Sequence, residues 1–467
     1  MTAPHVAILG GGPAGVGAAY QLRRRARADV TLFEQRCVVG GNAGSFFHEG
    51  QYLDYGSHRL HHACDPEILE DIRKLLDGDL LHRVRHGRIR LRGRWLHFPL
   101  QPLDLVLHLD RPFALSAIGD RLRRSRVRSG SSGETFASVM VERLGPTICE
   151  HFYFPYARKI WGREPEELSP IQARKRVSAG TFAKLIGRVF GSRGRYFYYP
   201  RRGYGQISEA YATAAERLGT RLQLGWRVRR LVQPNSEGGR WLVEAQRNSD
   251  VVEIAADHIW STIPITVLTR IVEPAPPAPV VEAARSIEYR AMVLVYLQLE
   301  TDRFSPTDAH YFPEENVSMT RLSEPKNYSG AAEPRGRTTL CAEIPCEPDD
   351  EVWRSDEEEL GERVVKDLAC AELPLPGPIS GVLVRRLRHA YPIYRVGYEK
   401  HFDLLDRWAE TLPRFLSYGR QGLFAHDNTH HALYMAYAAV DCLQGHDFDR
   451  NRWADYREIF RGHVVED

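Results

Sequence analysis

The chain has 467 residues, of which 43% are hydrophobic and 26% charged, and its formal net charge is +3. That balance fits a globular protein with two intertwined domains and excludes a nucleic-acid binder held by bulk charge. Seven scattered cysteines make no Cys-x-x-Cys pair and no disulfide framework, which suits a reducing compartment.

The most informative stretch comes first. His5 to Leu9 is a short apolar run that turns through Gly10, Gly12, Pro13, Ala14 and Gly15 into a helix predicted over 16–24. A second strand, 29–33, then delivers Glu34, followed by Gln35, about 20 residues after the glycines. Gly10 permits the tight turn, Gly12 lets a pyrophosphate approach the backbone, and Gly15 lets helix and strand pack closely. The helix start offers unpaired N–H groups and a positive dipole end to the phosphates. Glu34 can accept ribose hydroxyls, which argues for an unphosphorylated ribose. Glycines, strand context and acid together predict a bound dinucleotide.

Further along, 65–81 reads as an amphipathic helix, and 89–98 as a hairpin turning near Arg92-Gly93. The stretch 103–190 is mostly helical in pattern, with a Ser/Gly/Arg loop over 124–133. Arginine is locally dense at 83–94 and 121–128; the first run reads as a solvated hairpin face. A helix is expected over 207–218, then one strand containing Leu222, Leu224 and Val228. Residues 241–245 and 251–255 read as an antiparallel pair, and 257–264 as a buried strand ending at Pro264. An alternating strand of a second sheet is expected at 291–299, a surface excursion at 343–359, and an apolar helix at 432–443. The first strand begins almost at Met1 and no apolar run of about 20 residues occurs, so the expectation is a cytoplasmic protein with neither leader peptide nor integral membrane segment.

After Glu34, the run Gly40-Gly41-Asn42-Ala43-Gly44 resembles the second glycine signature of the FAD-dependent amine oxidase and protoporphyrinogen oxidase superfamily. The closest motifs are those of UDP-galactopyranose mutase-like flavoproteins. That resemblance implies FAD as cofactor and an α/β fold: a Rossmann-like, glutathione-reductase-type FAD-binding domain (1–75, 196–265 and 385–467) with an inserted mixed α+β substrate domain (76–195 and 266–384). It implies that Asp54-Tyr-Gly-Ser-His-Arg-Leu-His61 lies over the flavin, bringing Gly56 and His58 to the ring near Pro264 and Gly422, that Ser57 and Val228 also bind the cofactor, and that Gly419-Arg420 with Gly422 is the last FAD-binding turn. Tyr156-Ala-Arg-Lys-Ile-Trp-Gly162 is similar to a shared family motif whose tryptophan, here Trp161, lines the mutase pocket; Arg174 or Arg176 falls near a family arginine. Thr320-Arg-Leu-Ser-Glu-Pro-Lys326 resembles the mutase segment whose arginine, here Arg321, contacts a substrate diphosphate. The chain departs from the mutases at Phe424-Ala-His-Asp-Asn-Thr-His-His431, where histidines including His426 and His430 replace their tyrosines and aspartate.

Each residue has a plainer reading beside this one. Trp161 and Tyr156 can be core aromatics, Arg321 a surface ion-pair residue, and the histidines are without the spacing of a recognised metal site, so no metal is expected. The resulting expectation is an FAD-dependent oxidoreductase that oxidises or desaturates a polar metabolite, phosphorylated or sugar-containing, by hydride transfer to flavin N5. His58, Arg321, Trp161, Arg174, His426 and His430 are its candidate catalytic residues. The alternatives are a non-redox flavin-dependent sugar mutase acting on a nucleotide-linked sugar, and a binding protein that keeps the fold without FAD. The sequence assigns no oligomeric state.

Overall fold

The computed structural model describes residues 3–98, 133–176, 196–236 and 238–465, with a few positions between 112 and 120. At its centre is a parallel five-stranded sheet in the order Phe415–Ser417, His258–Ser261, His5–Leu9, Asp29–Glu34, Arg221–Leu224. His5–Leu9 is buried at every position because both faces of the sheet are covered, which is why it reads as an unbroken apolar run. Helix Pro13–Arg24 covers one face and packs against helices Gln206–Arg217 and Thr429–Cys442 through Val16, Leu22, Tyr211 and Leu433. It starts at Pro13 rather than at Val16, since proline is already set for a first helical turn and needs no amide partner there.

The opposite face is covered by an antiparallel sheet of Arg227–Val232, Trp241–Arg247 and Asp250–Ala256, with Val272–Glu273 alongside, and by helices Ala278–Ser286 and Tyr398–Thr411. The single strand expected across Leu222, Leu224 and Val228 is therefore two strands in two sheets. Gly225, at φ +76°, breaks the chain direction between them.

A seven-stranded mixed sheet forms the second lobe, in the order Ile379–Ile393, Glu288–Leu299, Thr338–Cys346, Arg321–Ser323, Ala309–Tyr311, Gly87–Leu91, Arg94–Phe98. Glu288–Leu299 runs through its interior. Val293, Val295 and Leu297 face a core closed by helix Glu357–Cys370, while Met292, Leu294 and Tyr296 face the first lobe. Ile379–Ile393 belongs to this sheet along its whole length, so a boundary at 384/385 would cut through a strand; the chain returns to the first lobe after Ile393.

Two local expectations change. The helix expected to Leu81 ends at Leu76, where Asp77 (φ +44°) and Gly78 (φ +87°) turn the chain into strand Leu80–Val84, paired with Tyr196–Pro200. The hairpin at Gly87–Phe98 turns at Arg92-Gly93 as its sequence suggests. The surface excursion starts only after Cys346, because Glu343 to Cys346 finish a fully buried strand. Of the helical stretch 103–190, helices Phe136–Leu144, Phe154–Trp161 and Pro170–Arg176 are described; the loop at 124–132 and the basic run 121–128 lie outside the described residues.

Candidate active site

A cavity of about 680 Å³ runs from the first glycine turn, between the lobes, to the inner face of the seven-stranded sheet. At its first end Gly10 (φ +102°) makes the turn after the first strand; a Cβ there would stand 2.5 Å from Thr262 Oγ1. A Cβ on Gly15 would lie 1.9 Å from the carbonyl oxygen of Gly10, so only glycine lets this helix meet this strand. Gly12 differs: a Cβ there meets nothing within 4 Å and projects into open space, as a phosphate cradle requires. Glu34 is buried on the cavity wall and accepts the amides of Gly11 and Arg36, both at 2.8 Å. Each carboxylate oxygen keeps a lone-pair direction for a ribose hydroxyl. Gly10, Gly12, Pro13, Ala14, Glu34 and Gln35 all line this end, whereas Gly15 and Gly419 act from behind it by close packing.

The middle of the cavity is walled by Gly41, Asn42, Gly56, Ser57, His58 and Arg420, with Val228 and Pro264 on the side of the antiparallel sheet. Gly40 (φ +108°) and Gly41 (φ +54°) form the second glycine turn. Asp54 holds that turn in place by accepting Ser45 Oγ (2.5 Å), the Tyr199 hydroxyl (2.6 Å) and the Tyr204 amide (2.8 Å). Burial raises the Asp54 carboxyl to about 6 against those hydrogen bonds. His58 Nε2 faces two carbonyl oxygens, Asn42 at 2.8 Å and Tyr55 at 3.1 Å, which fixes the proton on Nε2. Burial, helped by the Arg321 guanidinium, lowers its pKa to about 4, so the ring is neutral near pH 7. His58 is thus tied to the main chain and braces the loop.

At the inner end the sheet register sets the chemistry. Tyr311, Arg321 and Glu343 stand directly opposite one another on three adjacent strands. Arg321 donates to Glu343 from Nε (2.8 Å) and Nη2 (2.7 Å), and Glu343 also accepts the Ser57 amide at 2.7 Å. Arg321 is therefore neither a surface residue nor an isolated cation: a buried carboxylate compensates it. Its neighbour Arg59 donates instead to two phenols, Tyr311 (3.0 Å) and Tyr328 (2.9 Å). His426 is buried on the wall beside Tyr391, its amide donating to the Tyr394 hydroxyl at 2.8 Å.

Three candidate residues stand elsewhere. Trp161 is buried against Phe136 among the helices; Tyr156 and Ile160, one turn apart on the same helix, reach the cavity, and Trp161 is rotated off that face. Arg174 is more than half exposed and pairs with Glu134 at 2.7 Å. Its neighbour Lys175 points inward, 3.5 Å from the buried carboxylate of Asp427. His430 is buried behind the wall, where Thr429 and Ala432 of the same helix line the cavity. The fold also gathers Asp427, His431 and His463 with ligand atoms within 4.8 Å of one another, beside the Lys175 ammonium. Sequence reasoning gave no site role to Arg59 or Tyr328, although both lie in the motif segments, or to Tyr311, and it placed Glu343 in a surface excursion.

An α/β protein with a glycine-turn nucleotide groove opening into an interlobe pocket belongs to the two-lobed dinucleotide-binding class. More narrowly, the chain belongs to the flavin-containing amine oxidoreductase family, whose model matches residues 13–436, and its cofactor is FAD. A structure of reduced UDP-galactopyranose mutase has the same fold, with a TM-score of 0.81, 20% identity, and coverage of 99% of this chain and 100% of that one. A structure from Exiguobacterium sp. 255-15, provisionally named a protoporphyrinogen oxidase, aligns with a TM-score of 0.73 and 17% identity over 94% of this chain and 98% of its own. Protoporphyrinogen oxidase 2 of Arabidopsis thaliana is 25% identical over 182 residues, 36% of this chain and 35% of that protein, so the chain's match spans about a third of its length. Among the described residues no helix is long and apolar enough to cross a membrane.

Proposed function

We propose that this protein is an FAD-dependent oxidoreductase that oxidises or desaturates a polar small molecule held between the lobes. Family membership supports the class of chemistry. The observation that carries the reading is the continuity of the cavity, from the cradle at Gly12 and Glu34 to the polar inner wall of Arg59, Tyr311 and His426. Gly12, Pro13 and Ala14 would take the pyrophosphate, Glu34 the ribose, and Gly56, Ser57 and Pro264 the ring. Bound FAD supplies a two-electron acceptor; the chain supplies position, charge and exclusion of water. Neutral His58 holds Asn42 and Tyr55 so that the loop keeps its shape, and the Arg321–Glu343 pair fixes the Ser57 amide behind it.

A sugar-mutase reading draws support from the Thr320–Lys326 segment but meets two obstacles in its side chains. Arg321 is already engaged by Glu343, and Lys326 donates to the main-chain carbonyls of Asp302, Pro334 and Arg337 rather than to the cavity. The two readings separate experimentally. Anaerobic addition of the right metabolite should bleach the oxidised flavin, and oxygen or a dye should then sustain turnover. Turnover of a nucleotide-linked sugar only after prior flavin reduction, with no net use of an electron acceptor, would favour the mutase and overturn the proposal.

A further inference from the structure

We propose that Arg59 is the anchor for an anionic group on the substrate, a carboxylate or a phosphate, at the inner end of the cavity. The inference rests on the reading of this cavity as the substrate site and deepens it by naming the charge that the substrate carries.

The guanidinium groups of Arg59 and Arg321 both line the inner cavity, and their surroundings differ. Arg321 is neutralised by Glu343 in a two-point contact. Among the described residues, the side-chain hydrogen bonds of Arg59 go only to the Tyr311 and Tyr328 hydroxyls, and its Nε has no hydrogen-bond partner. The carboxylate nearest in influence, Asp308, is engaged by the His86 amide at 2.8 Å and makes no ion pair with Arg59. Aromatic rings flank the guanidinium, Tyr328 at 4.8 Å and Phe197 at 5.2 Å, and fix its plane. The Tyr328 hydroxyl is itself hydrogen-bonded to Ser57 Oγ, so the fork is braced from behind.

A cation taken out of water without a counter-charge is costly. A cavity wall that keeps one there is matched to an incoming anion. Nη1 and Nη2 each spend one N–H on a phenol and keep one for an incoming acceptor. A neutral amine or a bare sugar would leave this charge uncompensated.

The test uses the full-length, FAD-loaded protein. Benzoate and inorganic phosphate are titrated separately, with calorimetry and the visible spectrum of the bound flavin as readouts, and Arg59→Gln, Arg59→Lys and the surface variant Arg174→Ala run in parallel. At least one anion should bind saturably to the parent protein. Arg59→Gln should weaken it tenfold or more with flavin content unchanged, Arg59→Lys should restore part of the loss, and Arg174→Ala should match the parent. The anion that binds tells carboxylate from phosphate. Absence of saturable binding by either, affinity within threefold in Arg59→Gln, or a folded Arg59→Gln variant without flavin each overturns the assignment. If Arg59→Gln does not fold, Tyr311→Phe replaces it: a severalfold loss of anion affinity is expected, and none would overturn the proposal. Anion binding at Arg59 in a protein whose flavin no metabolite reduces would remove the redox reading alone.

Discussion

Glu343 gives the sharpest forecast from the inner site. Its side chain is 4% exposed and accepts three hydrogen bonds, two from Arg321 and one from the Ser57 amide. Glu343→Gln keeps the shape and one acceptor but removes the charge, leaving Arg321 buried beside an amide. Breaking a buried ion pair from one side costs about 3–5 kcal/mol. Because glutamine keeps an acceptor, the low end applies: about 3 kcal/mol, or about two powers of ten in the unfolding equilibrium. The assay is reversible urea unfolding of the FAD-loaded protein, run as a double-mutant cycle with Arg321→Met. Since Arg321→Met/Glu343→Gln strands no charge, it should be more stable than the sum of the single changes by about 2 kcal/mol. A loss below about 1 kcal/mol in Glu343→Gln, or strict additivity in the cycle, would refute the claim that the two groups compensate each other.

Two glycines of the first turn should fail in different ways: Gly12→Leu should fold but purify without FAD, whereas Gly15→Ala should give little soluble protein, because its Cβ falls 1.9 Å from the Gly10 carbonyl oxygen; flavin absorbance and soluble yield report both. Arg174→Ala should leave flavin content and substrate affinity unchanged and cost at most about 1 kcal/mol of stability, since only an exposed pair with Glu134 is lost. Burial holds His58 and His258 at about 4 against an ordinary 6.5, so both fold neutral and take up protons on unfolding. Their contribution should therefore be full above pH 6.5 and fall as the pH drops towards 4, by up to about 3 kcal/mol for the fully enclosed His58, while the raised Asp54 carboxyl acts in the opposite sense below about pH 6. Urea midpoints at pH 7.5, 6 and 5 check the sign, and a midpoint that rises on acidification would contradict it.

The nucleotide groove was legible because its parts are local: a strand, three glycines at fixed spacing and an acid at the end of the next strand. The inner site was not, because its pairs are made by strand register. Arg321 and Glu343 are 22 residues apart in sequence and become opposite only when two strands of the second sheet align. Helical phase misled in two places by a single residue: Ile160 rather than Trp161 reaches the cavity, and Lys175 rather than Arg174 points inward. At Gly225 the alternation of apolar residues ran smoothly across a change of sheet, since both flanking strands are strands by pattern.

The whole account depends on what the groove from Gly12 to Glu34 grips. Denaturing the purified protein and separating the released small molecules by chromatography tests this directly. The expected result is FAD in an equimolar amount, released without covalent attachment and absent from Gly12→Leu. Release of a nicotinamide dinucleotide in its place, or a colourless protein that takes up no added FAD, would contradict the account.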